Sequence, residues 1–142
     1  MQAIIGSQFP KVVIPKIDEA KKSISIVVFD WRWYPNDPAN PVQLFNQALV
    51  RAVRRGVVVK AIANFPDIVK TLEKVGVQAK KLRTENLVHA KMIIIDEKIV
   101  VVGSHNITVP AFTTNYEVST MFEDPVSAKP YADFFQSLFF SN

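Results

Sequence analysis

Residues 88–106 read VHAKMIIIDEKIVVVGSHN. The middle of the stretch is apolar and β-branched, as strands prefer. Its ends differ: His89 and Lys91 open it, and Ser104, His105 and Asn106 close it. MIIID and KIVVVG, parted by the polar break Asp96–Glu97, predict an antiparallel hairpin. Side chains alternate faces along a strand, so His89 shares a face with Lys91, and Ser104 with Asn106. With a two-residue loop at 96–97, Ile95 pairs with Lys98, Lys91 lies opposite Val102, and His89 lies opposite Ser104. The polar groups then converge at the open end of the hairpin. A slip of one residue would replace Ser104 and Asn106 on that face with His105. The turn lacks the Asn-Gly pair that would fix the register. Asp96 is seven residues from His89, roughly 23 Å along a straight strand, and so is out of its reach.

Outward from the hairpin, β-rich segments alternate with helix-like ones, which argues for an α/β domain. Ala3–Ile5 predicts a short strand, and 11–22 a helix carrying Val13, Ile17 and Ala20 on one face. Pro15 fits that helix only at its start. Residues 23–31 and 57–64 predict strands, 34–41 a loop, 67–75 a short helix and 77–82 another strand. Between them, 42–55 is amphipathic, with Leu44, Phe45, Ala48, Leu49, Ala52 and Val53 as its apolar stripe and Gly56 as its end. Residues 116–122 predict a strand. A closing helix over 125–140 carries Tyr131, Phe134, Phe135 and Leu138. No internal repeat or low-complexity segment interrupts the order.

The chain has 142 residues, 49% of them apolar and 21% charged, which suits one globular domain over 1–142. No apolar run is long enough to cross a bilayer. The segment MQAIIGSQFPKVV lacks the pattern of a signal peptide, which leaves cytoplasmic residence and export by a leader outside this numbering both open. There is no cysteine, so disulfides, zinc–thiolate sites and thiol catalysis are excluded. A net charge of +4 with a pI near 9.4 favours anionic partners such as nucleic acid or acidic lipid.

His89-x-Lys91, Asp96 and Gly103-Ser104-x-Asn106 together resemble the HKD motif of the phospholipase D superfamily at every fixed position. Asn115-x-Glu117 after the motif and the Arg-Arg-Gly that ends 42–56 fit the same pattern. In size the chain is similar to the small, single-motif bacterial endonucleases of that superfamily. The resemblance implies the phospholipase D-like fold: a mixed sheet with a large antiparallel part, flanked by helices on both faces. It implies phosphodiester chemistry with no metal and no other cofactor. One histidine attacks phosphorus to form a phosphohistidine, and a second protonates the leaving group and then activates water.

By that resemblance His89 is the nucleophile, and a neutral imidazole is competent for this at pH 7. Lys91, Ser104 and Asn106 hold the phosphoryl oxygens where charge develops. Glu117 orients the nucleophile. Asp96 is a turn residue that caps backbone N–H groups, Gly103 belongs to the structural part of the motif, and His105 occupies its variable position. One motif cannot supply two histidines of this kind, so the chain is expected to form a twofold homodimer with His89 residues facing across the axis.

Trp31, Arg32 and Trp33 follow a strand expected to end beside the site. They suit substrate binding, by stacking on bases and by meeting phosphate, and equally suit a dimer interface. Lys80, Lys81 and Arg83 read either as an extension of a basic groove or as a solvated run. Arg51, Arg54 and Arg55 read as a solvated helix face. Thr108 suits the cap of a short helix. The leading expectation is a non-specific endonuclease with nucleic acid as its partner. A phospholipase or phosphatidyl transferase with the same chemistry, acting on phospholipid, is the alternative. A binding module that has lost catalysis fits less well, because His89, Lys91, Ser104, Asn106 and Glu117 are all present.

Overall fold

The computed structural model describes residues 1–141. Seven strands among them form one mixed sheet. They are β1 (Gln2–Ile5), β2 (Ser23–Val27), β3 (Val58–Ile62), β4 (Gln78–Lys80), β5 (Met92–Ile95), β6 (Ile99–Gly103) and β7 (Val118–Glu123), in the spatial order β1-β7-β6-β5-β2-β3-β4. β2, β3 and β4 run parallel, and the remaining pairs are antiparallel. The helices are α1 (Phe9–Glu19), α2 (Pro41–Arg54), α3 (Pro66–Lys74), α4 (Val109–Thr113) and α5 (Pro125–Phe140). No helix among the described residues is long and apolar enough to cross a membrane.

Proline places the helix starts. Each of the five helices carries one in its first two positions, where its fixed φ suits the helix and its missing N–H leaves nothing unpaired. In α1 that residue is Pro10, so the helix begins before the expected start and Pro15 lies inside it. Caps reinforce the starts. Asn40 Oδ1 accepts from the Val42 N–H at 2.9 Å, and Thr108 Oγ1 accepts from the Ala111 N–H at 3.3 Å, satisfying end groups that have no partner inside the helix.

The sheet is covered on both faces, which explains a hairpin with no polar alternation. Ile93, Ile95, Ile99 and Val101 face α1–α4, while Met92, Ile94 and Val100 face α5. On α2 the buried face differs from the apolar stripe. Leu44 is 47% exposed, and Gln43 and Asn46 are buried instead. Asn46 accepts from the Trp31 indole N–H at 2.9 Å and donates to the Arg32 carbonyl at 3.0 Å, while Gln43 accepts from the Tyr34 N–H at 2.8 Å. These bonds satisfy the buried amides and fasten the segment after β2 to α2.

The hairpin register is one residue away from a two-residue loop. Ile95 pairs with Ile99 and Met92 with Val102, so Lys98 joins the loop. Asp96 and Glu97 both take positive φ, 54° and 56°. Lys91 therefore lies beside Gly103, whose N–H donates to the Lys91 carbonyl at 3.2 Å. Gly103 has a packing reason as well. A Cβ there would run into the Ser119 backbone and the Val118 carbonyl, so only glycine lets β6 and β7 approach this closely.

Candidate active site

Strand β5 is antiparallel to β2, so the residues before β5 lie at the carboxyl end of β2. In open α/β sheets this is where ligands collect. His89 is exposed there. Its ring packs on Phe29, the second residue after β2, at 5.5 Å between centroids. Asn64, just after β3, donates to the carbonyls of both Phe29 and Val88, at 3.1 and 2.9 Å. One amide thus ties the two segments that frame His89. Neither Phe29 nor Asn64 stands out in the sequence, although a polar residue ending a Val-rich strand was the available signal.

Lys91 Nζ lies 3.2 Å from His89 Nδ1 and 3.3 Å from Nε2, and donates to the His89 carbonyl at 2.8 Å. Burial lowers the Lys91 pKa below the usual lysine value, partly offset by the Glu117 carboxylate. Glu117 itself accepts from the Ser104 hydroxyl at 2.6 Å and from the Asn115 side-chain amide at 3.1 Å. Ser104 Oγ also accepts the Val118 N–H at 3.0 Å. Its one proton is therefore committed to Glu117, and in this arrangement Ser104 holds the carboxylate rather than an outside anion. Within the chain Glu117 is bonded to Ser104 and Asn115, and its link to the His89–Lys91 pair is electrostatic, through Lys91.

Asn106 Oδ1 accepts from the backbone N–H groups of Phe29 and Asp30, at 3.2 and 3.0 Å. Two donors on one oxygen fix the amide's orientation. The capacity that remains is the Nδ2 donor, a suitable partner for an anionic oxygen.

His105 is 2% exposed and stacks on Phe9 at 4.5 Å. Its Nε2 faces the Gly6 carbonyl at 2.9 Å and its Nδ1 the Ser119 hydroxyl at 2.7 Å. A carbonyl only accepts, so Nε2 carries the proton and Nδ1 receives the Ser119 O–H. Burial lowers the His105 pKa, against the opposing pull of the Gly6 carbonyl and Glu117. It is a neutral core histidine.

Asp96 lies away from this centre, at the far end of the hairpin. Its carboxylate accepts from the N–H groups of Lys21, Lys22 and Ser23, with a shortest distance of 2.7 Å. Burial alone would raise its pKa, but the three N–H donors and Lys98 outweigh that and hold it below the usual carboxylate value. It caps the entry to β2 rather than its own turn.

The aromatic segment after β2 departs from expectation. Trp31 is 3% exposed and belongs to the core, so its ring has no free face for a base. Arg32 is exposed but engaged by Asp30 through two bonds, at 2.9 and 3.2 Å. Trp33 is half-buried against the core and lines a cleft with Asp30, Arg32, Phe65 and Asp67, where Arg32 is paired with Asp30 and the Asp67 carboxylate disfavours an anion. Thus His89 and Lys91 come together directly, Ser104, Asn115 and Glu117 form an adjoining cluster, and Asn106 joins through Phe29. Trp31, Arg32 and Trp33 do not join them.

Known proteins share this fold. The family model described as "Cardiolipin synthase, PLD-like domain" matches residues 13–139. A phospholipase D of Rickettsia typhi is 29% identical over 127 residues, covering 85% of this chain and 58% of its own length. The chain thus spans little more than half of that relative. Among solved structures, the phospholipase D family member Nuc from Salmonella typhimurium superposes with a TM-score of 0.80 at 24% identity, over 97% of this chain and 93% of its own. NucT from Helicobacter pylori gives 0.75 at 22% identity, over 96% and 93%. At such identities the two structures speak for the fold.

Proposed function

The chain belongs to the phospholipase D superfamily, and from that membership we propose that it is a metal-independent phosphodiesterase, a non-specific endonuclease whose single catalytic domain spans 1–142. The observation that carries the reading is His89, an exposed imidazole at the carboxyl end of β2 with the Lys91 ammonium within 3.3 Å of both ring nitrogens. An imidazole nitrogen attacks phosphorus while the P–O bond to the leaving alkoxide breaks. Lys91 and the Asn106 amide N–H stabilise the charge gathering on the phosphoryl oxygens. Water then attacks the phosphohistidine, releases the phosphomonoester and restores His89. Glu117, held by Ser104 and Asn115, sets the field around Lys91.

The leaving alkoxide needs a proton and the water needs a base. The chain has two histidines. His105 is buried and bonded at both nitrogens, so it cannot serve. His89 of the partner subunit, brought across a twofold axis, supplies the group as imidazolium first and imidazole later. The net charge of +4 supports an anionic polymer as substrate, with binding that weakens steeply with salt.

Plasmid nicking in excess EDTA, with His89→Ala alongside, tests the reading. Cleavage should survive EDTA and vanish in the variant. A strictly monomeric, active protein in light scattering would overturn the dimer. The alternative substrate is a phospholipid diester, favoured by the name of the Rickettsia typhi relative. Headgroup release from phosphatidylcholine without any cleavage of DNA or RNA would establish it.

A further inference from the structure

Beside His89 the surface opens into a groove of about 620 Å³, a size suited to a small-molecule unit. One wall is the irregular segment 82–90, and the other is the C-terminal half of α5 through Phe134 and Leu138. The first wall is tied at both ends. Leu82 is buried, and the Val88 carbonyl accepts from Asn64. Between the ties, Leu87 is 63% exposed, and across the groove Phe134 is 48% exposed. Thr84 and Asn86 add polar atoms, and Arg83 adds a cation that forms no ion pair among the described residues.

We propose that this groove holds the nucleoside next to the phosphodiester attacked by His89, within a single-stranded segment. The inference rests on the nuclease reading of the His89 site and extends it to a substrate class. A nucleobase has apolar faces and polar edges, and the lining has both. Phe134 and Leu87 take the faces, Asn86 and Thr84 lie near the edges, and Arg83 meets the next phosphate. Thr84 Oγ1 already accepts the Asn86 backbone N–H at 3.1 Å, but an acyl chain would cover the Asn86 side-chain amide and Arg83 without giving them partners, which is unfavourable. A base stacked inside a duplex has both faces occupied and none to offer Phe134, whereas a single strand can turn its bases onto such a platform.

The test compares kcat/KM for thymidine p-nitrophenyl phosphodiester and methyl p-nitrophenyl phosphodiester on the same preparation. The ratio of the two does not depend on the fraction of protein folded. Wild type should prefer the nucleoside diester by about tenfold or more, the usual reach of one base–aromatic contact. Phe134→Ala should bring the ratio toward one, mainly through KM, and Phe134→Tyr should keep it. Arg83→Ala should weaken oligonucleotide binding and reduce the salt slope by about one.

Turnover of both diesters with a ratio unmoved by Phe134→Ala overturns the groove and leaves the phosphodiesterase intact. The groove is equally overturned if Phe134→Ala instead impairs hydrolysis of phosphatidylcholine vesicles. Turnover of neither diester by wild type overturns the phosphodiesterase, and the groove with it.

Discussion

The Lys91 ammonium stands 3.2 and 3.3 Å from the two ring nitrogens of His89 and donates to that residue's carbonyl at 2.8 Å. The charge is held beside the imidazole by that residue's own backbone. Lys91→Met should lower kcat by roughly two to three orders of magnitude, the scale of losing one charge-stabilising group. It should not lower stability. The fold depresses the Lys91 pKa, so a penalty for the charged form is present at neutral pH and is relieved as pH rises toward the ordinary lysine value. Thermal melting at pH 7 should give a Tm equal to or above wild type, and a large drop would contradict the assignment.

Ser104 and Glu117 should act as a unit, since the Ser104 hydroxyl donates to Glu117 at 2.6 Å. Ser104→Ala and Glu117→Gln should each reduce kcat/KM, and the double variant should fall short of the summed losses by about 1 kcal/mol or more. A double-mutant cycle on a soluble diester measures this. Additive losses would mean that the two residues work independently.

Asp96 joins the hairpin to the start of β2 through three backbone N–H groups. Asp96→Ala should cost about 2 kcal/mol of stability at pH 7 while leaving His89 chemistry in place at a permissive temperature. Its folded pKa is depressed, so its contribution is complete above the ordinary carboxylate value and disappears as pH falls through the folded one. Urea unfolding of wild type and variant should therefore differ at pH 7 and converge in strong acid.

His105 should make the fold acid-sensitive for a different reason. Burial depresses its pKa below 6.5, so the unfolded chain binds a proton more readily than the native one. Stability is complete above about pH 6.5 and is lost as pH falls toward the folded value. His105→Gln should flatten that decline in urea titrations below about pH 6.5, the ordinary histidine value. An unchanged slope would contradict the buried neutral assignment.

Gly103→Ala should destabilise by roughly 1–3 kcal/mol, because the added methyl meets backbone rather than a movable side chain. Calorimetry would detect the lowered Tm. An unshifted Tm would mean that β6 and β7 can separate without cost.

How much of this was legible depended on range. The hairpin, its scaffold role and the His89–Lys91 pair follow from residue type and spacing over 88–106. Its register does not, because Asp96 and Glu97 adopt positive φ without the Asn-Gly signal. Residue type suits Asp96 to capping backbone N–H groups, but its partners lie 73 to 75 residues away, beyond any local pattern. By its place after a strand Trp31 suits a base platform and a dimer interface equally. Its indole is instead satisfied by Asn46, a polar residue inside α2 that helical periodicity alone would send to solvent. Likewise the motif assigns Ser104 to phosphate, whereas its proton goes to Glu117, 13 residues away in the chain.

The covalent step is open to direct trapping. A labelled diester should be turned over briefly, quenched in alkaline denaturant that preserves phosphohistidine, and the protein mapped by peptide mass spectrometry. The label should sit on His89 and be absent in His89→Ala. Label on His105, on Lys91 or on any other residue would contradict nucleophilic attack by His89.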